Sequence, residues 1–413
     1  MKQTKLNQFG FNELGISSVL LEVLNHLKFI CPTPIQNQCI PVGLQGKDII
    51  GIAQTGTGKT LAFGIPLIES LVIKPTRHQG LILLPTRELA LQVNEVLEKI
   101  GRSFGLRTAV LIGGASAYRQ IAALRRDPHI IVSTPGRLID HLKQKRLSLE
   151  RVQMVVLDEA DRMFDIGFLP QVKEILHFIP HVHQTFLFSA TMPRAIQDLS
   201  LQFMKNPQRI EVAPEGTPAS EVEQEIFVIH KEGRTKLLDK LLVDHLGTIL
   251  IFSRTKHGAK KLAKSVRDMG HSATEIHSNR SLFQRQAALS GFKTGKYRVL
   301  VATDIAARGI DVERISLVIN YDLPDNPHDY IHRIGRTGRA GNSGKAVSFA
   351  GPQERGAVRQ IERLIKKNIP VATLPSLPEF QIDPIEMKSD FNTRPRRSRP
   401  FHNRRQNFRR HSS

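Results

Sequence analysis

Ala53-Gln54-Thr55-Gly56-Thr57-Gly58-Lys59-Thr60 follows the apolar run Ile49-Ile50-Gly51-Ile52 and precedes a helical pattern opening at Leu61. A turn between a buried strand and a helix aims backbone N–H groups and the positive helix end at one spot, which suits phosphate. Thr55, Gly56, Thr57 and Gly58 supply the turn, Lys59 a point charge for the outer phosphates, and Thr60 a hydroxyl for Mg²⁺. Ala53 stands where the strict G-x4-G-K-[ST] pattern begins with Gly. A second acidic motif, Asp158-Glu159-Ala160-Asp161, caps the strand-like run Met154-Val155-Val156-Leu157. Together the two motifs point to a nucleotide site rather than to a mere glycine loop.

Working outward, short β-branched runs at 48–52, 80–84, 107–112, 129–133, 154–157 and 185–188 alternate with helical patterns, as in a parallel sheet wrapped by helices. Ligands of such folds lie at the carboxyl ends of the strands. Those ends carry Pro85-Thr86-Arg87-Glu88, Gly113-Gly114, Thr134-Pro135-Gly136-Arg137 and Ser189-Ala190-Thr191 beside the two motifs already quoted. A linker-rich stretch then sets in at Ala213-Pro214-Glu215-Gly216, and a second series follows at 225–228, 248–252, 298–301, 317–320 and 346–349. That series carries Ser253-Arg254-Thr255, Ala302-Thr303-Asp304 and the basic run 330–339, but no second phosphate turn. The expected organisation is a first domain over 1–212, a linker over 213–222, a second domain over 223–370 and a proline- and arginine-rich disordered tail over 371–413.

The net charge of +21 points to a polyanionic partner. Eight arginines (394, 396, 397, 399, 404, 405, 409 and 410) lie in the last segment, without an acid and interleaved with Phe391, Phe401 and Phe408. This is the composition of an electrostatic arm with stacking aromatics for RNA or single strands. Apolar runs are of strand length and no apolar signal core follows Met1, so no membrane role is expected. Two cysteines, Cys31 and Cys39, build neither a disulfide framework nor a four-ligand zinc site, which fits a cytoplasmic location.

From about Phe11 to Phe349 the chain resembles the DEAD-box ATP-dependent RNA helicases, with about a dozen motifs in the family's order. The wording at 161–168 and the basic tail are most similar to the bacterial RhlE-type subgroup. The resemblance implies an α/β fold of two tandem RecA-like domains, each a mainly parallel sheet flanked by helices. It implies that Phe11 stacks on adenine and that Gln36, in Pro32-Thr33-Pro34-Ile35-Gln36, bonds the adenine edge of ATP. The family usually has Gly before the aromatic at Phe29, and this chain has Lys28, a difference expected to matter little.

Phosphoryl transfer needs charge neutralised on the β- and γ-phosphates and a water held in line. Lys59, and Mg²⁺ held through Thr60 and Asp158, meet the first need; Glu159 meets the second. By resemblance Asp161 links the site to the other domain, and His332 couples to the acidic motif and to Ser189 and Thr191. Arg336 and Arg339 are implied arginine fingers, and Asp311 touches the ribose. RNA is implied on the side away from ATP, at Pro85, Thr86, Arg87, Gly114, Thr134, Gly136 and Arg137, and at Arg254, Arg285, Thr303 and Asp304. These groups suit phosphate and 2′-OH and have no obvious way to read bases, so binding is expected to be largely blind to sequence. Where the family commonly has His-Gly and a Gln three residues before Arg285, this chain has His277-Ser278 and Leu282, from which a weaker second-domain grip on RNA is expected. The implied activity is closure of two domains on ATP and RNA with local strand separation; an ATP-gated RNA clamp would use the same motifs. Ribosome-assembly and RNA-decay complexes are compatible partners.

Overall fold

The computed structural model describes residues 10–53, 56–73, 79–212, 222–307, 312, 315–338 and 344–377. Residues 378–413 of the expected tail, together with Thr55, Asp311 and Arg339, lie outside the described residues. No described helix is long and apolar enough to cross a membrane.

Seven strands build the first sheet: β1 (Ile49–Ile52), β2 (Gln79–Leu83), β3 (Thr108–Leu111), β4 (Ile130–Ser133), β5 (Val152–Leu157), β6 (Gln184–Ser189) and β7 (Gln208–Glu211). They are parallel, in the order β3-β4-β2-β5-β6-β1-β7. The second sheet has β8 (Val222–Val228), β9 (Ile249–Phe252), β10 (Ala273–Ile276), β11 (Val299–Ala302), β12 (Leu317–Asn320) and β13 (Gly344–Ala350), parallel in the order β10-β11-β9-β12-β13-β8. Strands buried on both faces read as unbroken apolar runs, because alternate side chains serve opposite cores. Thus Ile82, Val156, Phe186 and Phe188 join one core of the first domain, while Leu81, Leu83, Val155 and Leu187 join the other. These are the two RecA-like α/β domains.

The strand order sorts the loops by task. The phosphate turn, the acidic motif and Ser189 follow β1, β5 and β6, which are neighbours. Pro85 to Arg87, Gly114 and Thr134 to Arg137 follow β2, β3 and β4, which are also neighbours. One sheet edge therefore carries two adjoining groups of candidate site residues.

Two strands are absent from the sequence reading. In β7 only Ile210 is buried, and β10 carries Thr274 and Glu275, so neither shows an apolar run. Packing on the second domain also runs past 370: Val371 bridges to Ile226, and Leu377 is buried in its core. Cys31 is exposed, whereas Cys39 is buried and its thiol is pushed up to about 12 by that burial.

Lys28 ends the helix Ser18–His26 in the left-handed region, φ 64°. Lys28 N donates to Asn25 O and Phe29 N to Leu24 O, both at 2.9 Å, which is the double bond of a Schellman cap. This is the position that glycine favours. Lys28→Gly should therefore raise stability by up to about 1 kcal/mol, read as a higher Tm; a lower Tm would contradict the assigned strain.

Candidate functional site

Gly58 has φ +92° and abuts the helix Lys59–Ile73. Gln36, on the helix Pro34–Leu44, donates from Nε2 to Gly58 O at 2.9 Å, and its Oε1 accepts from Thr33 N at 2.9 Å. The amide expected at the adenine edge thus fastens the phosphate turn through its nitrogen and closes the capping box of its own helix through its oxygen. A Cβ at Gly58 would collide with the Gln36 amide and the Thr33 hydroxyl. Gly58→Ala should accordingly weaken ATP binding about five- to 150-fold, the turn having to move about 1–3 kcal/mol uphill. ATP affinity within twofold of the parent would rule that out. Phe11 is 3% exposed and packs in the first domain's core, so little of its ring is open to a base. Gly56 is exposed, and Thr57 and Thr60 are half-buried in the turn and the first helical residues.

Lys59 Nζ lies 3.2 Å from Ala53 O and 3.6 Å from Asp158 Oδ1, with both side chains nearly buried. Even so, Asp158 is pushed up to about 6, because burial outweighs the Lys59 charge and Glu159 adds repulsion. Burial presses Glu159 the same way. There the charges of Arg162, Lys59 and Arg336 together prevail and hold the carboxyl below its usual range. Arg162 Nη1 donates to Glu159 Oε2 at 2.8 Å; the other oxygen, Oε1, is buried without a partner, as are Arg162 Nε and Nη2. Glu159 also has a left-handed backbone, φ 53° and ψ 51°, where β5 turns into the helix Ala160–Asp165. Such strain at a strand end suits a side chain held in one aim.

Asp161 Oδ2 accepts from Ala190 N at 3.1 Å and from Thr191 N at 3.0 Å, and Ser189 Oγ accepts from Asp161 N at 3.1 Å. The acidic motif and Ser189-Ala190-Thr191 are thereby one unit within the first domain. Next to this unit, Arg162 faces the second domain across a small cleft whose other walls are Asp304, Asp329, His332, Arg333 and Arg336, with Phe252 behind. Arg336 is 2% exposed, and its Nε donates to His332 O at 3.2 Å. The structure thus groups Lys59, Asp158 and Glu159 in the first domain, and Arg162, bonded to Glu159, shares a cleft with His332 and Arg336 of the second.

The residues expected to face RNA divide. Arg87 lies over Gly113 and Gly114, Gly136 opens onto free space, and Arg137 is half-buried with Nε unpartnered. Pro85 and Thr134 are buried beside them, and Thr86 Oγ1 accepts from Leu89 N at 3.3 Å as the cap of the helix Arg87–Gly101. In the second domain the charged groups are engaged by protein. Asp304 holds Arg333 through two bonds of 2.6 and 2.7 Å, and Arg254 pairs with Asp325 and Glu354 at 3.3 Å each. Thr303 is buried. Arg285 Nη2 donates 2.6 Å to Glu88 Oε2 across the domain boundary. Sequence reading missed Glu88 and Arg162 as site residues, although both lie inside quoted motifs.

The DEAD/DEAH box helicase family matches residues 33–199, and the helicase conserved C-terminal domain matches 233–341. The DEAD-box ATP-dependent RNA helicase CshA of Bacillus cereus is 44% identical over 370 residues, 89% of this chain and 70% of that one. The chain belongs to the DEAD-box ATP-dependent RNA helicase family. Among solved structures, the S. cerevisiae Dbp5 bound to RNA and ADP BeF3 shares 29% identity at a TM-score of 0.79, covering 88% of this chain and 95% of that one. Mss116p bound to ssRNA and AMP-PNP shares 26% at 0.83, covering 91% and 82%. Bacillus subtilis CshA is 42% identical, covering 89% of this chain and 75% of its own. These relatives do not support the RhlE-type affinity expected from 161–168. For a DEAD-box helicase, the half-bonded Arg162 guanidinium at the cleft between the domains and the unpartnered Glu159 Oε1 behind it fit a site that receives phosphate and water.

Proposed function

We propose that this DEAD-box helicase hydrolyses ATP when RNA closes its two domains, and that closure bends the bound strand and separates short duplexes locally. The observation that carries this is the cleft between the domains: Arg162, which holds Glu159 Oε2 at 2.8 Å, lines it from the first domain and Arg336 lines it from the second. ATP and RNA each favour the closed state, so each should tighten the other. Lys59 would neutralise the outer phosphates, Glu159 would hold and deprotonate the water, and Arg336 would meet charge developing on the γ-phosphate, with Arg339 as its neighbour in the motif. Thr60 and Asp158 are the residues that would hold Mg²⁺, which when bound adds positive charge beside the phosphates. Among the described residues no cluster of three His, Cys, Asp or Glu side chains could hold a metal, as suits an ion that takes its remaining oxygens from nucleotide and water. Phe11, Gln36 and Asp311 are carried as base and ribose contacts, and Asp161, Ser189, Thr191 and His332 as the coupling set. The partner is RNA, gripped through backbone and 2′-OH groups without regard to sequence, in the cytoplasm. Function is assigned at the level of the family, not of a subgroup.

Steady-state ATP turnover without nucleic acid, with RNA and with DNA of the same sequence tests this. Stimulation by RNA alone supports it; turnover indifferent to RNA sinks it. The arginine-rich tail gives a separate expectation. Removing residues 391–413 should weaken RNA binding and flatten its salt dependence, by about 0.7 log units per lost phosphate contact. Equal slopes for full and truncated chains would show that the tail does not touch RNA.

A further inference from the structure

The helix Leu282–Lys293 of the second domain starts where this chain departs from the family pattern, with Leu282 in place of the usual Gln. Its first turn is fixed by a capping box: Ser281 Oγ accepts from Gln284 N at 3.2 Å, and Gln284 Oε1 from Ser281 N at 3.0 Å. Leu282 is half-buried against a hydrophobic cluster whose buried members all lie between Phe11 and Ile210, in the first domain. One turn further, the Arg285–Glu88 pair crosses the same boundary with side chains 10% and 2% exposed. At the far end Lys293 adds charge near Glu95, whose carboxyl is lowered first by Lys99. The helix therefore meets the first domain through an apolar tip, and its helix Arg87–Gly101 through a buried ion pair and a surface charge.

These contacts contribute unequally to closing. A buried ion pair gives back most of its attraction as desolvation of both charges. An apolar contact has no such cost, and each area it buries favours closure whether or not RNA is bound. Leu282 also lies three residues before the Arg285 that touches Glu88, next to Arg87 at the expected RNA face. From this we infer that Leu282 is a positioning residue: it supplies part of the closing free energy without RNA and so brings Arg336 to the Glu159 cleft in the RNA-free enzyme. This rests on the function proposed above and reverses the expectation that Leu282 merely loosens the grip on RNA.

The test compares the full chain with Leu282→Gln and Leu282→Met. RNA-free ATP turnover should fall about three- to tenfold in Leu282→Gln, with RNA-saturated kcat within twofold and a higher RNA concentration needed for half-stimulation. Leu282→Met should behave like the parent. Dyes on the two domains should report a smaller closed fraction for Leu282→Gln with a non-hydrolysable ATP analogue and no RNA. Unchanged RNA-free turnover and closed fraction would overturn the inference, as would an equal loss with and without RNA. A gain in nucleotide-free RNA affinity in Leu282→Gln would replace it with a direct RNA contact at 282. Parent turnover that ignores RNA would instead overturn the underlying function reading, and this inference with it.

Discussion

Glu159→Gln should lower RNA-stimulated ATP turnover by about 10²–10⁴-fold while ATP and RNA still bind together. This follows from the role proposed for the carboxylate. Arg162 holds Oε2, and Oε1 stands buried and unpartnered behind the cleft, so it is the oxygen left to take a proton from water. Its ionised form is secured by Arg162, Lys59 and Arg336 against burial, which keeps a base available at neutral pH. Glutamine keeps the length and can accept the Arg162 bond through its carbonyl, but it cannot take the proton. Some thermal stability should be lost as well, because Arg162, 1% exposed, keeps a hydrogen bond and loses a counter-charge. Binding is best compared well below the lowered Tm. Turnover within threefold of the parent would remove Glu159 from the chemistry.

Arg336→Ala should cost about 10³–10⁵ in kcat, the range for an arginine finger, with ATP affinity little changed. The asymmetry follows from where the residue sits. Lys59 and Thr60 belong to the first domain and remain intact, whereas Arg336 approaches only from the second. Its guanidinium is 2% exposed and turned in by the bond to His332 O, so its charge acts where water does not screen it. Arg336→Lys should recover only a small part, because an ammonium cannot reproduce the planar fork. A lysine variant with parental kcat would show that a point charge suffices, and an alanine variant within tenfold would show that Arg336 serves packing alone.

Much of this site was legible because its residues act through the backbone around them. A glycine turn after a buried strand, and acids after another, announce themselves by order in the chain. The strand order β5-β6-β1 then makes them neighbours in space. Contacts across long separations were not legible. Nothing local to Glu88 or Arg285 indicates that they meet 197 positions apart, or that Asp304 and Arg254 are taken up by Arg333, Asp325 and Glu354. β10 was missed because Glu275 is buried among Arg267, His277 and Arg280, so ion pairs replace the apolar signal of a strand. Lys28 shows the converse: the departure from glycine was visible, and only the φ of 64° shows why glycine is usual there.

The seam between β2 and β5 has a consequence for how such proteins diversify. It joins the two halves of the first sheet through the register Gly80 with Met154 to Leu83 with Leu157, and Asp158 N donates to Leu83 O at 3.1 Å just beyond it. Loops on the β3-β4-β2 side can change without moving Lys59 or Asp158, provided that this short register survives and Glu88 keeps its pair with Arg285. A one-residue slip in β2 would instead shift the strand from which Asp158 takes its backbone bond.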